Sequence, residues 1–282
     1  MRNLILGSAQ FGNGYGTYVY SPQLEIDEIY HILDQAKSMG IKDIDTALSY
    51  SGVIQKISNI SHLEYFNIGT KIEYNSQTEK QVSKDLYKSL SQLSKLNYNY
   101  ILIHNWATLS MADRYLALKY LETLKEKEIT LKIGISAYGT SELESISVPI
   151  DIVQAPLNYF NINFLSSAIV RTMKNFGTEF HARSIFHQGL LLQPSLWPPK
   201  FSSYLLQFKN YCTEVQYSNL QAALSVFDSQ SDFTRLVIGV NTKNNLLEIA
   251  DCPVSSQKVD FSRIKAEFPL EFIDPRLWDN SK

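Results

Sequence analysis

The 282-residue chain is poor in the features that mark many protein classes. It has only two cysteines, Cys212 and Cys252, and no CxxC pair, which excludes a disulfide framework. No stretch approaches the ~20 uninterrupted apolar residues that a membrane span needs. The apolar run in MRNLILGSAQF meets polar residues too soon for a signal peptide. Charge of one sign is also missing. With 26 Lys+Arg against 28 Asp+Glu the net charge is −2, and no basic field exists to hold nucleic acid. None of the histidines pairs with another at i,i+4 beside a carboxylate, so no metal site is expected. GxSxG, Walker and EF-hand patterns are absent. The glycines of LGSAQFGNGYG do not spell GxGxxG or open a helix, which rejects a Rossmann fingerprint and leaves them to shape a loop beside a ligand. These absences predict a cytoplasmic globular protein that uses neither nucleic acid nor membrane as partner.

What is present is a regular alternation. Hydrophobic residues make up 44% of the chain, enough for a sizeable core. Short β-rich runs lie at 3–8, 43–47, 66–71, 100–104, 131–136, 151–155, 179–185 and 236–240, each flanked by polar or turn residues. Helical patterns occupy 24–39, 78–95, 111–127 and, less regularly, 215–229. In the first, Leu24, Ile26, Ile29, Ile32, Leu33 and Ala36 share one face and Gly40 ends the helix. Thr140-Ser141 before ELES reads as an N-cap. Eight strands, each followed by a helical or partly helical segment, allow a (β/α)8 barrel or an open doubly wound sheet. The barrel fits the count better. The tail from Asp251, with Pro253, Pro269 and Pro275, adds no βα unit and is expected to pack on the barrel within a single domain, 1–282.

Active sites of such barrels sit at the C-terminal strand ends. Four groups fall there: Asp45 and Tyr50 after the second strand, Lys71 after the third and His104 after the fourth. Adjacent strands let them converge. A tyrosine titrates near 10 and exchanges its proton poorly at neutral pH, but a nearby lysine ammonium favours the phenolate. A carboxylate keeps a buried lysine charged, and Asp45 is the candidate. A histidine across the pocket can orient a carbonyl oxygen. Together the four read as a proton relay to a carbonyl.

The segments IDTALSY (44–50), GTK (69–71) and ILIHN (101–105) resemble signature segments of the aldo-keto reductases. KIGIS (132–136), IVQAPLN (152–158), ARSIFHQGLL (182–191) and VIGVNTKNNL (237–246) resemble the later strand ends, so the likeness runs from LGSAQFG to about Ile249. It implies a (β/α)8 barrel and a carbonyl–alcohol oxidoreductase using NADP(H), with NAD(H) as the other option. Tyr50 would be the general acid and base, Lys71 would lower its pKa, Asp45 would pair with Lys71, and His104 would orient the carbonyl. Ser136 and Gln154 would hold the nicotinamide carboxamide. Ser184, Gln188, Gly189 and Leu190 would border the pyrophosphate, and Gly239, Asn241, Lys243 and Asn245 the adenosine phosphate. Arg183 stands where many members stack an aromatic ring on the nicotinamide, and its planar guanidinium could lie there instead. Two other departures are Ala137, where many members have asparagine, and one cation in Asn241–Asn245 instead of a Lys and an Arg.

Of the aromatics near strand ends (Trp106, Tyr138, Tyr159, Phe160 and Trp197), Trp106 and Tyr138 are expected to wall the substrate site. His187 is a further residue that could face substrate. AQFG, ARSIFHQGLL and DPRLW look most like members encoded with bacterial surface-polysaccharide genes, which implies a sugar or nucleotide sugar as substrate. The partner is then a small carbonyl or alcohol, with the protein a monomer or small homo-oligomer. Two rival readings remain at this point. One is an aldolase or isomerase with Lys71 as Schiff-base amine, the other a non-catalytic nucleotide-binding sensor.

Overall fold

Eight short apolar runs form parallel strands that close on themselves. The computed structural model describes residues 2–12, 23–255, 257–264 and 268–278. The strands are β1 (Leu4–Gly7), β2 (Asp43–Asp45), β3 (Asn67–Ile72), β4 (Tyr98–Ile103), β5 (Thr130–Ser136), β6 (Ile152–Pro156), β7 (Glu179–Arg183) and β8 (Arg235–Gly239). Each pairs with the next in sequence, and β8 pairs with β1. The (β/α)8 barrel expected from the sequence is the fold found. Eight mutually paired strands also leave no open sheet edge.

The helices are α1 (Ile26–Ser38), α2 (Val53–Ser58), α3 (Glu79–Leu93), α4 (Met111–Glu126), α5 (Ala168–Asn175), α6 (Ser202–Val215), α7 (Asn219–Asp228), α8 (Lys243–Asp251) and the short α9 (Leu270–Ile273). Helix α1 buries Ile29, Ile32, Leu33 and Ala36 completely, at about 1.5–3 kcal/mol for each large side chain. Ile26 is 40% exposed and lies off that face, contrary to the expected pattern. The helix read over 215–229 is α7, which starts four residues later at Asn219, and α6 precedes it unforeseen. Gln216 takes left-handed backbone with φ 57° and ends α6. Ser218 and Gln221 then form a reciprocal capping box that starts α7. The expected cap at Thr140-Ser141 is also displaced. Gly139 precedes a 3-10 turn, and the Glu142 carboxylate accepts the Tyr138 and Gly139 N–H groups.

The tail packs on the barrel as expected. Phe272 is fully buried, with ring centres 4.6–4.9 Å from those of Phe160, His187, Phe201 and Tyr204. The Trp278 indole N–H donates to the Phe272 carbonyl at 3.1 Å. The glycine-rich stretch expected to shape the first loop continues into residues 13–22, which lie outside the described residues.

Register places the site. Asp45, Gly69 and Tyr100 stand level on β2, β3 and β4. Gly69 has no side chain there, and a Cβ built on it would sit 2.0 Å from the Tyr100 ring. The glycine leaves the space through which Tyr100 reaches Asp45. Lys71 lies two residues further along β3, on the same face and one layer nearer the rim.

Candidate active site

Three donors surround the Asp45 carboxylate. Lys71 Nζ donates to Oδ1, while Tyr100 Oη and Gln154 Nε2 donate to Oδ2 at 2.8 and 2.9 Å. Lys71 also donates to the Thr46 carbonyl at 3.3 Å. Both charged side chains are almost sealed from solvent, at 3% exposure for Asp45 and 2% for Lys71. A pair this deep survives because both charges are hydrogen-bonded more than once.

Tyr50 is carried by the loop after β2. That loop continues along β3, with Thr46 N–H on the Gly69 carbonyl and Leu48 N–H on the Lys71 carbonyl. The Tyr50 N–H closes a turn on Ala47, which turns the ring back over the barrel mouth. Its ring stands edge-on to His104, with centres 6.0 Å apart. The Lys71 ammonium lies 5.6 Å from the ring centre. Ser49 Oγ lies 3.4 Å from His104 Nδ1.

Burial, then the Asp45 charge, holds the Tyr50 phenol above its ordinary range, and Arg183 opposes them. The net shift of Tyr50 is upward, opposite to the one expected from Lys71, because burial outweighs the neighbouring charges. Tyr50 is a firmly protonated donor. Burial also lowers His104 to about 4, helped by the Lys71 and Arg183 charges. The imidazole is neutral at pH 7, with one N–H to donate.

These four groups line one end of a cavity of about 720 Å³ formed by the described residues, a size that suits an extended ligand. Ser136, Gln154, Tyr138 and Arg183 line the same end. Gln154 Oε1 is buried without a hydrogen-bond partner, as a site awaiting an amide donor would be. Arg183 donates to the Ala137 carbonyl and Ser184 Oγ, and its guanidinium lies 4.2 Å from the Tyr138 ring centre. Arg276, from the tail, lies 3.4 Å from that same centre and is clamped by Asp274.

The wall continues through Ser184, Gln188 and Gly189 to Gly239, Asn241, Asn245 and Glu248. Ser184, His187, Gln188 and Gly189 all have positive φ, between 48° and 88°. Three of these are not glycine, and such conformations persist where a site needs them.

Several expected residues lie elsewhere. Trp106 is fully buried under Arg114, donates to the Glu142 carbonyl at 3.1 Å and does not line the cavity. Leu190 is core, with its carbonyl receiving Trp197 Nε1. The Lys243 side chain is exposed off the cavity wall, and its backbone N–H donates to Glu28 Oε1 at 3.2 Å. His187, Phe160 and Trp197 are buried beneath the tail instead of facing the cavity.

Sequence reasoning missed Tyr100, Gln10, Glu248 and Arg276. Gln10 lines the cavity and packs so closely on Gly239 that a Cβ there would lie 2.1 Å from its amide. Gln10 and Arg276 do fall in AQFG and DPRLW, segments that had stood out only for their resemblance. Tyr100, one of 17 tyrosines, gave no signal of its own.

Comparison with known proteins agrees with this architecture. Residues 3–231 match the aldo/keto reductase family model. Two solved structures from Pseudomonas aeruginosa, each described as a candidate aldo-keto reductase, share the fold at 14% identity. One superposes with a TM-score of 0.68 over 89% of each chain. The other gives 0.65 over 88% of this chain and 87% of its own. No curated protein matches the chain by sequence. With most of its length under one family model, the chain belongs to the aldo/keto reductase family of enzymes.

Proposed function

We propose that the protein interconverts a carbonyl compound and an alcohol with a nicotinamide dinucleotide, Tyr50 moving the proton. The observation that carries this reading is the convergence of Tyr50, Lys71, Asp45 and His104 at one end of an elongated cavity. Ser136 and Gln154 would hold a nicotinamide carboxamide, the unpartnered Gln154 Oε1 accepting from its amide. Ser184, Gln188 and Gly189 would border the pyrophosphate, and Gly239, Asn241 and Asn245 the adenosine. The chemistry such a cofactor supplies is hydride exchange with the carbonyl carbon.

The chain's own residues manage the oxygen. His104, neutral, donates an N–H to the carbonyl oxygen and fixes its direction. Tyr50 O–H delivers the proton as charge develops on that oxygen. The phenolate left behind is disfavoured by burial and by Asp45, so it regains a proton readily; Arg183 tempers the cost. Asp45 fixes the Lys71 side chain beside the ring. Lys71 Nζ is already engaged by the Asp45 carboxylate and the Thr46 carbonyl, an arrangement that supports the reductase reading over Schiff-base chemistry.

The substrate we assign is a sugar or nucleotide sugar. The support is the likeness of AQFG, ARSIFHQGLL and DPRLW to polysaccharide-associated members, together with the positions of Gln10 on the cavity wall and Arg276 beside it against Tyr138.

Fluorescence titration with NADH and NADPH, followed by product analysis on keto-sugar nucleotides and simple carbonyls, tests the reading. Tyr50→Phe should bind nucleotide as the wild type does and turn nothing over. Failure of both nucleotides to bind would overturn the oxidoreductase reading. Binding without conversion of any sugar would remove only the substrate assignment.

A further inference from the structure

The two ends of the cavity differ in charge. At the Tyr50 end the lining cations are Lys71 and Arg183. At the opposite end, where β8 runs into α8, the wall is Asn241, Asn245 and Glu248. Glu248 is the charged residue lining that end among the described residues, and it is exposed enough to meet a ligand. Asn241 Oδ1 there is buried and unpartnered, an acceptor with nothing to accept.

The natural place for an anion at this end is the N-terminus of α8, where free N–H groups and the helix dipole favour negative charge. Two of its donors are already engaged. Thr242 Oγ1 accepts the Asn245 N–H at 3.1 Å. The Glu28 carboxylate, reaching over from α1, accepts the Lys243 N–H at 3.2 Å. A protein carboxylate therefore already takes the first N–H of α8, and the Lys243 side chain does not line the cavity.

From this geometry we infer that the distal end selects a dinucleotide with a free ribose diol, NAD(H), over its 2′-phosphorylated form, with Glu248 and Glu28 as the selecting residues. The inference rests on the reading that a dinucleotide lies in the cavity with its nicotinamide at Tyr50, since its adenosine must then lie at the Asn241 end. A 2′-hydroxyl can donate to the Glu248 carboxylate or to Asn241 Oδ1, the contact by which acidic residues recognise a ribose diol. A 2′-phosphate brings near-double negative charge towards Glu248 on the wall and the Glu28 carboxylate at the α8 N-terminus, with no cation among the described residues lining that end to offset it. The NADP(H) use implied by resemblance is reversed here by the charges of this chain.

Binding, not turnover, is the measurement. Dissociation constants for NADH and NADPH are taken by fluorescence titration, and for the oxidised forms by calorimetry. The wild type should bind NADH about tenfold or more tightly than NADPH, and raised salt should narrow the gap. Glu248→Gln with Glu28→Gln should bring the two constants close together, and Glu248→Arg should favour NADPH. Both positions are at the surface or half-buried, and far-UV circular dichroism with melting curves confirms that the variants fold. Equal or tighter NADPH binding by the wild type would overturn the inference while leaving the reductase reading intact. A preference for NADH unchanged in the double variant would overturn the roles of Glu248 and Glu28. Binding of neither nucleotide would instead remove the reading beneath it.

Discussion

The Lys71 ammonium is bound to the Asp45 carboxylate and stands 5.6 Å from the centre of the Tyr50 ring. Replacing Lys71 with methionine leaves Asp45 charged and buried, with Tyr100 and Gln154 as its remaining donors. Breaking one side of such a pair costs roughly 3–5 kcal/mol. Lys71→Met should therefore lower the urea midpoint sharply and abolish turnover. Adding Asp45→Asn should restore most of the stability without restoring activity. A single Lys71→Met variant as stable as wild type would show that Asp45 is not charged in the folded protein.

Acid should destabilise the fold through buried histidines. His104 titrates at about 4 and His187 at about 3 in the folded protein, each lowered first by burial, against an ordinary value of 6.5. Below pH 6.5 the unfolded chain binds protons that the folded chain refuses, so stability present above that pH is lost as pH falls towards 4. At about 1.4 kcal/mol per unit, each histidine removes about 3 kcal/mol over that window. Urea midpoints at pH 7.5, 6 and 5 should fall progressively. His187→Phe keeps an aromatic ring against Phe272 and Trp278 and should weaken the pH dependence by about half. An equally steep decline in that variant would assign the effect to other groups.

Gly69 should not tolerate a methyl group. Its Cβ would stand 2.0 Å from the Tyr100 ring, on a strand paired on both sides and unable to shift. Gly69→Ala should cost about 3 kcal/mol, and activity should fall as Tyr100 is driven off Asp45. Tyr100→Leu, made in the same background, relieves the clash, so the double variant should be less destabilised than the sum of the two. Simple additivity would mean that the ring moves aside freely.

How much of this was legible beforehand follows from where each signal resides. The eight strands were readable because a doubly buried strand concentrates apolar residues in a short run, and their closure followed from the count. Asp45, Tyr50, Lys71 and His104 were readable because each ends or follows a strand, where backbone direction alone brings side chains together. Trp106 and Leu190 were misjudged because the same segment points successive side chains to opposite layers, and the loop's twist decides which one faces the cavity. The start of α7 was placed too early because Gln216, which ends α6, takes a left-handed backbone that usually falls to glycine. Glu28 and Glu248 could not be found by any local pattern. Their joint effect arises from the packing of α1 against α8, across more than 200 residues of sequence.

Arg183 is the cation that pulls the Tyr50 phenol back down, and its position depends on Tyr138, which in turn carries Arg276 of the tail. Losing the Arg183 charge should push Tyr50 ionisation further up. Alcohol oxidation needs a Tyr50 able to accept a proton, so it should suffer more than carbonyl reduction, where the phenol starts protonated. Arg183→Met should move the ascending, base-controlled limb of the oxidation pH profile to higher pH, so that the rate at a fixed pH on that limb falls. Arg183→Lys keeps the charge and should recover part of that shift, while losing the planar stack on Tyr138. Arg276→Ala leaves Arg183 in place but frees one side of the Tyr138 ring, so it should raise KM with little change in kcat. An Arg183→Met profile that overlays the wild type would mean that Arg183 serves only to hold Tyr138.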